Sequence, residues 1–393
     1  MHAVKLMAAL GLSVIASAAP LETRDKAGSI LADLQAQAME NLRNAEANGT
    51  LSKRDGSCNS LNAQVRRDWA ALSTEERKEY IAAVQCLLTS PSKSDPSFAP
   101  GARNRYDDFV AVHIDQTRTI HGTGNFLTWH RYYVWAYENV LKTECGYKGA
   151  QPYWNWFAHT DDPRKSPVFD GSETSLSGDG EYVPHNGSVS LAPNGNIEIP
   201  SGHGGGCVAS GPLVNMTVNL GPVSPGMDGL DPNPNGPMVH NPRCLRRDLS
   251  AYSASTWHTP ENLLNVTVGR ASGSIASFQN ELQGRFGDGF LGMHAAGHFV
   301  ASGDASDLFS SPADPSFFLH HAMVDRVYWL WQALHLWGGA AFEIAGTITI
   351  QNMPPSREAT KDDVIEMGVL AQDRSIRELL NTIDGSPLCY VYL

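Results

Sequence analysis

Asp314-Pro315-Ser316-Phe317-Phe318-Leu319-His320-His321-Ala322-Met323-Val324-Asp325-Arg326 is the stretch that sets the fold class of this chain. Pro315 suits the first turn of a helix, where the N–H that proline lacks would be unpaired anyway. Beyond it Phe317, Phe318, Met323, Val327, Leu330 and Leu334 form a helical apolar pattern, with steps of three to four residues from Met323 onward, which predicts a helix from Pro315 to Leu336. The helix is apolar and aromatic, yet it carries adjacent histidines. An imidazole buried there without a partner is costly, and a metal ion would supply the partner.

Working outward, His294 and His298 stand four apart in Met293-His294-Ala295-Ala296-Gly297-His298. That spacing puts both rings on one helix face at a gauge suited to chelation. Further upstream lie His113, His121 and His130, the last within Phe126-Leu127-Thr128-Trp129-His130-Arg131. Singly, each is an ordinary surface or core histidine; together they form two sets of three. No cysteine is patterned as a thiolate ligand, and all-imidazole sites suit copper, zinc, iron or nickel. Zinc hydrolases also use three such ligands plus water, although paired zinc sites normally add bridging carboxylates. Spacing alone leaves the metal open.

Helical patterning also follows Thr74-Glu75-Glu76, through Tyr80, Ile81, Val84, Leu87 and Leu88, and is expected over Thr128–Lys142, Ser274–Leu282 and Leu291–Val300. Between Asp161 and Pro242 the chain is rich in Gly, Pro, Ser and Asn, as in Gly202-His203-Gly204-Gly205-Gly206, and reads as long loops with a few short strands. No repeat or interdomain linker interrupts the pattern, so the expectation is a mainly α chain with one domain over residues 55–393.

Residues 1–19 combine Lys5, an apolar stretch from Leu6 to Ile15, and small residues Ala16, Ser17 and Ala18, the pattern of a secretory signal peptide. Residues 20–54, nearly without aromatics and ending in Lys53-Arg54, read as a pro-segment, or else as an ordinary N-terminal helix. No later stretch approaches ~20 uninterrupted apolar residues, so no membrane anchor is expected. The net charge of −12 argues against nucleic acid or an anionic membrane as partner. Six cysteines behind a leader suggest three disulfides. Sequence proximity and closure of the chain ends favour Cys58–Cys389, Cys86–Cys145 and Cys207–Cys244. Glycan acceptor patterns begin at Asn186, Asn215 and Asn265. Oligomeric state is not legible.

His121-x4-Phe126-Leu127-x-Trp129-His130-Arg131-x2-Val134-x3-Glu138, then Pro152-Tyr153-Trp154-Asn155-Trp156 and the Asp314–Arg326 segment, resemble the type-3 copper proteins: tyrosinases, catechol oxidases and hemocyanins. The resemblance runs from about Cys86 to Leu336 and is strongest to the short secreted fungal polyphenol oxidases. It implies a four-helix bundle around two copper ions, with His113, His121 and His130 on one and His294, His298 and His321 on the other. His320 would then pack or support, and Asp325 could orient a ligand histidine. The closing Tyr390-Val391-Tyr392 resembles the motif that ends the family's catalytic domain. Many members carry a thioether-linked cysteine two residues before the second ligand; Thr119 stands there, so His121 must be oriented by hydrogen bonding and packing.

The implied activity is oxidation of small phenols, with O2 as co-substrate: catechols (o-diphenols) become o-quinones. A residue after the fourth ligand tunes monophenol hydroxylation in the family, and Ala295 there cannot hydrogen-bond, which favours diphenolase over the alternative, a tyrosinase with substantial monophenolase activity. Glu281 or Gln283 could hold the water that deprotonates a monophenol. Leu308 occupies the family's gate position, and Ala295, Phe299 and Leu308 are the expected pocket residues. Trp154 and Trp156 read as core. A hemocyanin-like oxygen carrier is the remote rival, and metal analysis would exclude a zinc hydrolase.

Overall fold

The structure, a computed structural model, describes residues 19–51, 58–191 and 194–393, with side chains from residue 28. The leader up to residue 18 and the Lys53-Arg54 pair lie outside the described residues. Among the described residues ten α-helices follow in order: α1 (Ala19–Ala47), α2 (Thr74–Thr89), α3 (Arg105–Ile120), α4 (Phe126–Cys145), α5 (Ala251–Trp257), α6 (Pro260–Thr267), α7 (Ile275–Gln283), α8 (Gly292–Ala301), α9 (Ser316–Leu334) and α10 (Ile376–Leu379). Local chemistry sets their starts. Ser73 with Glu76 and Asn104 with Asp107 form capping boxes on α2 and α3, each satisfying two backbone donors that a helix start would leave unpaired. The expected helices at α2, α4, α7, α8 and α9 are present within a few residues of their sequence bounds. α3 and α5 carried no distinct periodic signal, because α3 is buried on nearly every side and α5 is only seven residues long.

Helices α3, α4, α8 and α9 form the bundle: α3 packs on α4, α4 on α9, and α9 on α8. Aromatic rings fill the α3–α4–α9 seam, where Tyr137 stacks on Phe318 at 3.5 Å and both meet Phe109 edge-on. Burying each such ring contributes roughly 2–3 kcal/mol. The 161–242 region crosses the bundle as irregular chain with short two-stranded ladders, among them Ser188–Ser190 with Ile197–Ile199. The chain ends meet in a parallel pairing of Gln64–Arg66 with Tyr390–Tyr392, locked by Cys58–Cys389. The other disulfides are Cys86–Cys145 and Cys207–Cys244, as expected.

The pairing of the ends brings Arg66, Tyr390 and Tyr392 onto α9. Asp325 receives the hydroxyls of Tyr390 and Tyr392 at 2.6 Å each, Arg131 at 2.6 Å and Arg66 at 3.3 Å. Burial raises its pKa, but Arg131 and Arg66 outweigh that and hold the carboxyl below its ordinary range. Asp325 therefore does not orient a ligand histidine. One helical turn beyond His321 on α9, its carboxylate is engaged by Arg66, Tyr390 and Tyr392 from the chain ends and by Arg131 of α4, and so joins the two ends of the chain to the bundle.

α1 lies along α9 and buries Leu31, Leu34, Met39 and Leu42. Gln35 bridges the Tyr392 carbonyl and Arg326, and Asn41 donates to the Ala333 carbonyl at 3.1 Å. These contacts belong to a docked helix. A chain beginning at residue 55 is expected to unfold at least about 5 °C below one beginning at residue 20 in a calorimetric scan; equal midpoints would make α1 a dispensable pro-segment.

Candidate metal centre

All four bundle helices place ligand candidates: His113 by α3, His121 just past its end, His130 by α4, His294 and His298 by α8, and His321 by α9. The ring nitrogens of His113, His121 and His130 gather within 4.8 Å of one another, as do those of His294, His298, His320 and His321. The two clusters adjoin, with the His130 and His321 rings stacked at 4.4 Å and 12°.

Backbone carbonyls aim the rings. Nδ1 of His113 meets the Phe309 oxygen at 2.6 Å, His121 the Thr117 oxygen at 3.0 Å, His130 the Phe126 oxygen at 2.8 Å and His298 the Ala305 oxygen at 3.1 Å. A carbonyl can only accept, so the proton sits on Nδ1 and Nε2 keeps its lone pair. His121 is thus oriented as the absence of a cysteine at 119 requires; Thr119 itself bonds the Gln116 carbonyl. Nε2 of His113 and of His130 is buried without a partner. In the second cluster Nε2 of His298 lies 3.3 Å from that of His294 and 3.2 Å from that of His321. Metal–nitrogen bonds of about 2.0–2.1 Å place neighbouring ligand atoms roughly 3.3–3.6 Å apart, so the convergence fits an ion.

His320 differs. Trp156 donates its indole N–H to His320 Nδ1 at 3.1 Å, which puts the ring proton on Nε2 and removes the lone pair a metal would need there. The ring presses on α8 at Gly297, where a Cβ would come within 2.1 Å of it; only glycine allows that approach. Trp156 also stacks on His258 at 4.9 Å and 7°, and His258 Nε2 meets the Met293 carbonyl at 3.0 Å, next to His294. Sequence reading passed over His258, which has no motif spacing to mark it. Trp154 and Trp156 are buried and neither lines the cavity.

Burial lowers every histidine of the two clusters: His121 to about 4, His298 to about 3, and His113, His130, His294 and His321 well below the ordinary value. All are neutral at neutral pH, as metal ligation requires. The unfolded chain titrates them near 6.5 and so binds more protons below that pH. Stability of the copper-free chain should therefore be fully present above pH 7.5 and decline as pH falls from about 6.5 through 4 toward 3. Urea midpoints measured across that range check the sign; a flat profile would mean that the rings are not buried neutral.

A cavity of about 500 Å³ opens over His121, His294 and His298. Ala295, Phe299 and Leu308 all line it, Leu308 at the exposed rim. Glu281 does not: its carboxylate is taken by Arg285 and by Asn265 Nδ2. Gln283 does line it, with Oε1 accepting from the Gly122 N–H at 2.9 Å. Gln279, one turn earlier on α7, lines it too; the i, i+4 spacing from Gln283 was the available signal. Ile350 and Gln351 come from a loop with no motif, and only tertiary folding reveals them.

Two abutting all-histidine clusters in a helical bundle, open to one cavity, define a dinuclear metal oxidoreductase of the type-3 copper class. Residues 103–334 match the common central domain of tyrosinase, and the chain belongs to that family. It is 44% identical over 316 residues to the tyrosinase-like protein orsC of Emericella nidulans, covering 76% of this chain and 82% of that one. It is 38% identical to the N-acetyl-6-hydroxytryptophan oxidase ivoB of the same organism, over 85% of this chain and 93% of that one. A polyphenol oxidase from Thermothelomyces thermophila, solved as a point variant, superposes with a TM-score of 0.82 at 39% identity, covering 95% of this chain and 97% of its own. Family membership implies dinuclear copper and phenolic substrates. No helix among the described residues is long and apolar enough to cross a membrane.

Proposed function

We propose that the chain is a secreted dicopper polyphenol oxidase that uses O2 to oxidise catechols to o-quinones, with His113, His121 and His130 holding one copper and His294, His298 and His321 the other. The bound pair supplies the electron chemistry: two catechols lose four electrons and four protons, and one O2 takes them up as two waters. Phe299 lines the cavity and offers apolar surface to the incoming phenol, and Leu308 at the rim limits access. A catechol needs little help in losing its protons. A monophenol needs a base, and among the described residues the cavity lining holds a single carboxylate, Asp307. Ala295 has no polar atom, Gln283 spends its carbonyl oxygen on Gly122, and the Asp307 carboxylate receives four backbone N–H groups. That depletion is the observation favouring diphenolase activity. The apolar Leu6–Ile15 leader and three disulfides support secretion.

The test is oxygen consumption by the copper-loaded protein with 4-tert-butylcatechol, and with tyramine primed by a trace of catechol. Rapid uptake with catechol alone is expected. Uptake at similar rates with both would make the protein a tyrosinase, and none despite bound copper would make it a carrier. Ala295→Asn should raise the tyramine-to-catechol rate ratio by about threefold or more, since an amide beside His294 can help hold a water; an unchanged ratio would show that position 295 does not limit hydroxylation.

A further inference from the structure

Three amides of α7, Gln279, Asn280 and Gln283, line the cavity, and two of them, Gln279 and Gln283, are held by the backbone in a fixed orientation. Gln279 donates its Nε2–H to the Ala345 carbonyl, so its unengaged group is the acceptor Oε1. Gln283 accepts the Gly122 N–H on Oε1 at 2.9 Å, so its unengaged group is the Nε2 donor. One helical turn separates them, which puts both on the same face. An acceptor and a donor so spaced match the N–H and C=O of a secondary amide.

The rest of the wall says what the arm is not. No Lys or Arg is among the described residues lining the cavity, and its single carboxylate, Asp307, is saturated by the backbone N–H groups of Val223, Ser224, Phe309 and Ser310. A carboxylate entering here would lose water and gain no countercharge, and an ammonium would meet only a carboxylate whose lone pairs the backbone already fills. Val189, Leu191, Phe286 and Ile350 instead offer apolar surface to a short acyl group. We infer that the cavity selects catechols bearing an uncharged secondary-amide arm, an acylated amine, through Gln279 and Gln283; the inference rests on the oxidase reading above. Both side chains are already ordered by their backbone bonds, so binding costs little further rotamer freedom.

The experiment compares kcat/KM of the copper-loaded protein for N-acetyldopamine, dopamine and 4-pentylcatechol, in the parent chain and in Gln279→Met and Gln283→Met. N-acetyldopamine should exceed dopamine by on the order of tenfold, and its ratio to 4-pentylcatechol should fall by about tenfold in each variant. A ratio that moves by less than about twofold in both variants, with thermal unfolding unchanged, would overturn the inference. Should a variant fail to fold, the parent series decides: dopamine equal to or better than N-acetyldopamine overturns it. Calorimetric binding of N-phenethylacetamide and phenethylamine to the copper-depleted chain gives a readout free of turnover, and the amide should bind tighter. Absence of oxygen uptake with every catechol would refute the oxidase reading alone, while this binding comparison still decides the amide site.

Discussion

His298→Ala is expected to abolish catechol oxidation, lowering kcat by more than about 100-fold, and to bring copper content from two ions per chain toward one. Nε2 of His298 stands 3.3 Å from that of His294 and 3.2 Å from that of His321. Removing it leaves two nitrogens where three converge, too few to hold an ion against exchange. The other cluster keeps its own three carbonyl-aimed rings, so one copper should remain. The fold should survive, because the ring is partly open to the cavity and its one backbone bond, to the Ala305 carbonyl, can be met by water. Metal analysis of the dialysed variant beside an oxygen-uptake assay checks both halves. Full turnover would refute the ligand assignment, and loss of both ions would show that the clusters do not bind independently.

Asp325→Ala should act on the other property, stability. Its carboxylate is the meeting point of Arg131, Arg66, Tyr390 and Tyr392, and the Arg66 and Arg131 side chains are 0% exposed. Removing it leaves Arg131 without its carboxylate partner and Arg66 with Glu138 as its one carboxylate, beside the Tyr392 hydroxyl. Breaking a buried pair from one side costs about 3–5 kcal/mol, a large fraction of a domain's stability. The protein that still folds should carry both coppers, since no ligand ring touches Asp325. Urea denaturation with metal analysis of the soluble fraction separates the outcomes. Normal stability with a missing copper would restore the ligand-orienting role that the sequence alone suggested for this residue.

Sequence by itself showed the helical class, two groups of candidate ligand histidines and a favoured disulfide pairing, because those features are local: a proline before a periodic helix, two histidines one turn apart, and cysteines placed to close short loops and the two chain ends; the choice of His321 over His320 came from the family resemblance. The same locality explains what it misjudged. Asp325 sits one turn from His321 and looked like that ligand's support, but the direction of its side chain depends on the pairing of residues 64–66 with 390–392, which no window of sequence contains. Glu281 and Gln283 could not be told apart by spacing. Tertiary structure assigned one to Arg285 and the other to the cavity, because Gly122, distant in sequence, supplies the N–H that holds Gln283. α1 gave no sign of whether it docks, since docking depends on the face that α9 leaves open. Which nitrogens carry a lone pair toward the metals was likewise decided only in the fold, by carbonyls from Phe309, Thr117, Phe126 and Ala305 and by the indole of Trp156. Side-chain identity can specify a ligand, but its aim and its protonation are set by whichever backbone groups the folded chain brings beside it.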